Sequence, residues 1–156
     1  MKILFVCLGN ICRSPSAEAI MKFLVEQEGL SSKISCDSAG TIGFHAGSPA
    51  DARMQSHAIR RTYDLTSKSR RFNPEIDFDK FDLVIGMDDQ NIHDLQIMDS
   101  YRKYQDNVFS MTEFCTTHQE SEVPDPYYGG DAGFELVLDI IEDGCRGLLE
   151  KIRKEL

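Results

Sequence analysis

The chain has 156 residues, 41% hydrophobic and 28% charged, which suits one globular domain over residues 1–156 that buries a core without staples. The longest N-terminal apolar run, Ile3 to Leu8, is too short for a signal-peptide core or a membrane span, and five cysteines without an even framework point to reduced thiols in the cytoplasm. A net charge of -9 argues against a general nucleic-acid binder, but residues 1–72 carry ten basic against six acidic side chains and residues 73–156 carry seven against twenty, so an anionic substrate is better received by the first half.

Lys2 to Cys7 is a short, continuous apolar run, the pattern of a strand buried on both faces of a parallel sheet. A loop with Gly9 and Asn10 follows, and Ser14-Pro15 opens a helical stretch from Ala17 to Glu28 that Gly29 stops. Ile34 to Ser38 reads as a second strand, running into Ala39-Gly40. Asp51 to Tyr63 reads as a helix, Phe81 to Ile85 as a third strand, Asp88 to Met98 as a helix and Val108 to Met111 as a fourth strand. Glu122 to Gly130 is a turn-rich loop. Ala132 to Lys154 is the longest helix, with Phe134, Val137, Leu138, Ile141, Cys145, Leu148 and Ile152 on one stripe. Strands alternating with helices imply βαβ units and a parallel sheet, whose ligands bind beyond the carboxyl ends of the strands. The first strand ends at Cys7.

Cys7 and Arg13 are separated by five residues, and no other cysteine has an arginine six positions on. The spacing is weak alone; the strand before it, the Gly and Asn within it and the helix after it make it strong. A short loop entering a helix N-terminus turns successive backbone N–H groups into a concave nest for a phosphate-like dianion. Leu8, Gly9, Asn10, Ile11, Cys12 and Arg13 would form that nest. Gly9 allows close approach, Asn10 tolerates a left-handed backbone, and the Arg13 fork can grip two oxygens. The same field favours a Cys7 thiolate, in line with a bound phosphorus, and Ser14 can donate a hydrogen bond to the sulfur. Such a loop needs no metal or other cofactor.

Asp125 lies between Pro124 and Pro126, which limit how far its loop can wander. Its residue types fit a positioned general acid and a simple turn equally well. Tyr127 and Tyr128 can stack on a substrate ring and form a deep slot that favours aryl phosphates, the alternative being ordinary loop aromatics that cover the sheet edge. Cys12 is a candidate redox partner for an oxidised Cys7, or a packing cysteine. Cys36, Cys115 and Cys145 read as core. His45, His57, His93 and His118 lack ligand spacing, and no metal site is expected. The acidic run of Asp77, Asp79, Asp82, Asp88 and Asp89 reads as a solvated face, and the basic cluster of Arg60, Arg61, Lys68, Arg70 and Arg71 as surface.

Four segments, Val6 to Pro15, Asp37 to Thr41, Phe81 to Asp88 and Val123 to Gly129, together resemble the low-molecular-weight protein tyrosine phosphatases, in the same order and over essentially the whole chain. The resemblance implies an α/β fold, a three-layer sandwich with a four-stranded parallel sheet flanked by helices on both faces. It implies Cys7 as the nucleophile that forms a phosphocysteine, Arg13 and the loop amides as the phosphate site, and Asp125 as general acid and then base. It implies Asn10, bonded by Ser38, as loop support, Ser14 as thiolate partner, and Leu8, Phe44, Tyr127 and Tyr128 as cleft walls. Ser67 departs from it, since some members carry a His there that joins the loop support. The partner would be a phosphotyrosine-containing protein or a small aryl phosphate, with no nucleic acid and no membrane; a monomer suffices. Arsenate reductases and phosphocysteine carriers of the same fold are the alternatives. The first need redox cysteines that residues 72–100 lack, and the second need no acid such as Asp125.

Overall fold

A computed structural model describes all 156 residues apart from the side chain of Tyr128. In chain order the elements are β1 (Lys2–Cys7), α1 (Arg13–Gln27), β2 (Ser35–Gly40), α2 (Ala52–Ile59), α3 (Asp77–Lys80), β3 (Leu83–Gly86), α4 (Asp89–Met98), β4 (Val108–Ser110) and α5 (Gly130–Glu155). Short 3₁₀ helices cover Gln105–Asn107, Met111–Phe114 and Pro126–Tyr128. The four strands form one sheet in the order β2-β1-β3-β4, and every neighbouring pair is parallel. Its register sets Cys7 beside Gly40 and Val6 beside Gly86, so the carboxyl ends of the three adjoining strands stand level.

The unbroken apolar run of β1 is explained by its central place. Ile3, Phe5 and Cys7 face a core with Ile20 and Met21 of α1 and with Phe134, Leu138 and Ile141 of α5. Leu4 and Val6 face a second core with Phe72, Phe78, Phe81, Val84 and Leu95, under α3 and α4. Both faces of the strand are therefore dry, and alternation would place a polar group in one core or the other. The whole stripe expected on α5 is buried. A Cβ on Gly147 would overlap the Phe114 carbonyl oxygen, so α5 crosses the Met111–Phe114 turn only with glycine there.

α1 begins at Arg13, earlier than Ala17, because the loop runs into the helix without a spacer; Pro15 still falls in the first turn, where its missing N–H costs nothing. α2 stops at Ile59, short of Tyr63. Thr62 takes a left-handed φ of 74°, which turns Tyr63 inward against Phe23 and brings its hydroxyl to Glu142 at 2.9 Å. α3 is a single four-residue turn, too short to register as periodicity. Arg61 is not merely surface: it pairs with Glu135, Asp139 and Glu142 of α5. His57 is buried, flanked by Glu135 and Asp131, and stacks on Phe134 with ring centroids 5.3 Å apart.

Candidate active site

Residues 8–12 bridge β1 and α1, and their carbonyl oxygens are held by the segments around them. Thr41 N–H donates to Cys7 O at 2.9 Å, Ile42 N–H to Leu8 O at 3.1 Å and Asp51 N–H to Ile11 O at 2.9 Å, while the Ser69 hydroxyl donates to Gly9 O at 2.9 Å. Cys12 O accepts from the Ser16 hydroxyl at 2.6 Å. All peptide bonds are trans, so each anchored carbonyl turns the next N–H the opposite way. Among the described residues no acceptor takes the N–H groups of Leu8, Gly9, Asn10, Ile11 and Cys12. These groups and the first turn of α1 supply the positive partial charges of an anion cradle.

Asn10 sits at φ 57°, which costs a non-glycine residue about 1 kcal/mol and persists only where the surroundings hold it. They hold it at both ends of its amide: Arg70 N–H donates to Oδ1 at 3.0 Å, and Nδ2 donates to Ser14 Oγ at 2.7 Å. Ser14 Oγ in turn lies 3.0 Å from Cys7 Sγ. The Asn10 amide nitrogen has only protons to give, so Ser14 accepts from it and keeps its own proton for the sulfur or for the more distant Ala39 O at 3.4 Å. Ser38 does not bond Asn10 as the resemblance implied. Its hydroxyl donates to buried Glu18 at 2.6 Å, on α1, because Ser38 lies two residues before the strand end that faces the loop. The support comes from Ser69 and Arg70; no hydrogen bond of the Ser67 side chain is found among the described residues.

Arg13 is only 3% exposed. Its Nη1 donates to Asp88 Oδ2 at 2.5 Å and to Val123 O at 3.1 Å, and Nη2 lies 4.0 Å from Asp125 Oδ2. Burial works against the guanidinium charge, but the Cys7 sulfur, Asp88 and Asp125 outweigh it, and the pKa is raised. Asp88 is thus a site residue and not part of a solvated acidic face. It caps α4 at the carboxyl end of β3, the edge where ligands of parallel sheets bind, and that position was its available signal. Asp77 leaves the solvated face as well, since it is buried against Arg70.

Asp125 accepts from Tyr127 N–H at 3.0 Å, and its side chain is 42% exposed with Oδ2 turned toward Arg13. The cleft above Cys7 holds about 110 Å³ and is lined by Leu8, Ile11, Ile42, His45, Tyr127 and the loop itself. Phe44 is not a wall: it is 82% exposed and meets the His45 ring edge-on at 4.8 Å, so Ile42 and His45 take the place expected of it. Tyr127 stands under the Arg53 guanidinium, 5.1 Å from the ring centroid, and the Tyr128 side chain lies outside the described residues. Cys12 is buried; desolvation first, then Asp51, Cys7 and Asp125, push its thiol up to about 12. No group of three His, Cys, Asp or Glu suited to a metal is found among the described residues.

Residues 2–156 match the family model of the low molecular weight phosphotyrosine protein phosphatases. A low molecular weight protein-tyrosine-phosphatase of Bacillus subtilis is 41% identical over 99% of this chain and 97% of its own. The low molecular weight phosphotyrosine protein phosphatase of Homo sapiens is 38% identical over 96% and 94%. The crystal structure of a protein tyrosine phosphatase from Entamoeba histolytica superposes with a TM-score of 0.95 at 46% identity, covering 99% of this chain and 98% of that one. With the family model spanning residues 2–156, relatives matching over nearly their full lengths and the fold superposing, the chain belongs to the low molecular weight phosphotyrosine protein phosphatase family.

Proposed function

We propose that the protein hydrolyses phosphotyrosine and related aryl phosphate monoesters through a phosphocysteine, in two displacements at phosphorus. The observation that carries this is one cleft containing the Cys7 sulfur with a hydroxyl at 3.0 Å, five amides without acceptors among the described residues, a buried arginine and a carboxylate 4.0 Å from that arginine. In the first displacement the Cys7 thiolate forms the P–S bond as the P–O bond to the aryl group breaks, and Asp125 gives its proton to the departing oxygen. In the second, Asp125 takes a proton from the attacking water, the P–S bond breaks, and the electron pair returns to sulfur, where the Ser14 hydroxyl stabilises it. Arg13 Nη1 is committed to Asp88 and Val123, which leaves Nε and Nη2 for two phosphoryl oxygens. The amides and Arg13 meet the charge of the transition state with dipoles already in place.

The cleft above Cys7 is small, about 110 Å³. It takes the phosphoryl group and the start of the ring it is bonded to. Leu8, Ile11, Ile42 and Tyr127 offer that ring an apolar wall, while the rest of a phosphotyrosine protein or small aryl phosphate lies along the rim. Among the described residues no helix is long and apolar enough to cross a membrane.

The test is to quench the enzyme during turnover of a radiolabelled phosphotyrosine peptide and locate the covalent adduct. Label on Cys7, absent from Cys7→Ser, is expected. Label on another residue, or turnover by Cys7→Ser, would overturn the mechanism.

A further inference from the structure

We propose that Arg70 is a positioning residue: braced by Asp77 and Asp37, its backbone N–H sets which way the Asn10 amide faces and thereby sends the Ser14 proton to the Cys7 sulfur. This rests on the reading of Cys7 as nucleophile.

An amide side chain has a donor end and an acceptor end, and its neighbours decide which is which. Arg70 N–H can only donate, so it accepts nothing but Oδ1 of Asn10 as its partner, at 3.0 Å. Nδ2 then faces Ser14 Oγ at 2.7 Å, and the Ser14 proton is left for Cys7 Sγ at 3.0 Å. In the reversed amide, Nδ2 would meet Arg70 N–H donor to donor. Oδ1 would meet Ser14 and draw its proton away from the sulfur. One backbone N–H therefore decides the direction of a hydrogen bond two residues away from it.

The position of that N–H is built rather than incidental. Residues 70–72 run beside the end of β2, with Gly40 N–H donating to Arg70 O and Phe72 N–H donating to Gly40 O, both at 2.8 Å. The Arg70 guanidinium then forks onto Asp77, Nη1 to Oδ2 at 2.9 Å and Nη2 to Oδ1 at 3.2 Å, with Nη2 also 3.1 Å from Asp37 Oδ2. Asp77 is 3% exposed, opens α3 and also accepts from Asn73 N–H at 2.8 Å. A buried carboxylate with one arginine as its cation is costly to build. Here it ties α3 and β2 to the residue that orients Asn10.

The consequence is specific. The amides and Arg13 bind the phosphoryl group without Arg70, so substrate binding is spared. The Ser14 proton matters when sulfur leaves phosphorus, so breakdown of the phosphocysteine is what slows.

The test compares wild type, Asp77→Asn, Ser14→Ala and their double variant on p-nitrophenyl phosphate. Arg70→Lys, which keeps the charge and loses the fork, covers the case in which Asp77→Asn does not fold, as judged by circular dichroism. For Asp77→Asn kcat is expected to fall about tenfold, within the roughly 10²-fold cost of an ångström's misplacement, and because only breakdown of the phosphocysteine slows, KM falls with it, leaving kcat/KM within about twofold, with a pre-steady-state burst of p-nitrophenol. Arg70→Lys is expected to change in the same direction by less. The double variant should be no slower than Ser14→Ala, since both changes remove one interaction. An unchanged kcat, a rise in KM alone, or multiplying effects in the double variant would overturn the proposal. A wild type that forms no phosphocysteine would instead remove the reading of Cys7 beneath it.

Discussion

Gly40 ends β2 directly beside Cys7, and its replacement by alanine tests how firmly the loop is held. A Cβ there would lie 2.8 Å from the Leu8 carbonyl oxygen, 3.0 Å from that of Ile42 and 3.1 Å from the Gly9 carbonyl carbon. All three are main-chain atoms, so no side-chain rotation relieves them. Gly40 has no positive φ, so Gly40→Ala adds contact without backbone strain. Ordinary contact begins at 3.4 Å, and the loop must retreat by about 0.6 Å to restore it. A misplacement of about 1 Å costs about 10²-fold, so in proportion kcat/KM should fall about 15-fold, or about 1.6 kcal/mol. Overpacking should also cost about 1–3 kcal/mol of stability, lowering Tm by roughly 2–12 °C for a chain of this size. Turnover of p-nitrophenyl phosphate, measured well below the melting range, reads the first effect, and a thermal melt reads the second. A lowered Tm with unchanged kcat/KM would refute the reasoning, because the anchored carbonyls would then not set the positions of the cradle amides.

Asp125→Ala should lower kcat/KM for phosphotyrosine by about 10²–10⁴-fold and for p-nitrophenyl phosphate, with its better leaving group, by much less; equal losses in kcat/KM would contradict its role as acid. Arg13→Lys should reduce kcat/KM by about 10² or more, since the fork is lost even with the charge kept, and wild-type activity from the variant would exclude bidentate binding. Iodoacetate near neutral pH should label Cys7 and spare Cys12, Cys36 and Cys115, whose thiols burial pushes up to about 12; label on Cys12 of the folded protein, read by mass spectrometry, would refute that. Asp143 on α5 accepts from the N–H groups of Thr116, Thr117 and His118, and although burial alone would raise its carboxyl, these bonds hold it well below the usual carboxylate range. Its contribution is therefore complete above the unfolded value of about 3.9 and is lost as pH falls below it. The stability gap between wild type and Asp143→Asn in urea melts should be full at about pH 6 and shrink below about pH 4, and a gap independent of pH would refute the assignment.

Cys7, Arg13 and the loop between them were legible because their chemistry is local. Seven consecutive positions pass from a dry strand through a tight loop into a helix, and residue types alone announce each step. The stripe on α5 was equally plain, since one face of a long helix repeats its burial every turn. Asp88, Ser69, Arg70, Ile42 and His45 were not legible, although they hold the arginine, the asparagine and the cleft wall. Asp88 reaches Arg13 across 75 positions, and Arg70 reaches Asn10 across 60. Nothing periodic links such pairs; they meet because β3 lies on one side of β1 and β2 on the other. The same cause misplaced Ser38, whose hydroxyl is nearer α1 than the loop it was expected to brace. Local pattern therefore determines which backbone becomes an anion cradle and which sulfur lies in it. The groups that orient its protons and charges come from distant segments, and only their packing around the central strand decides which of many Asp, Ser and Arg side chains take those places.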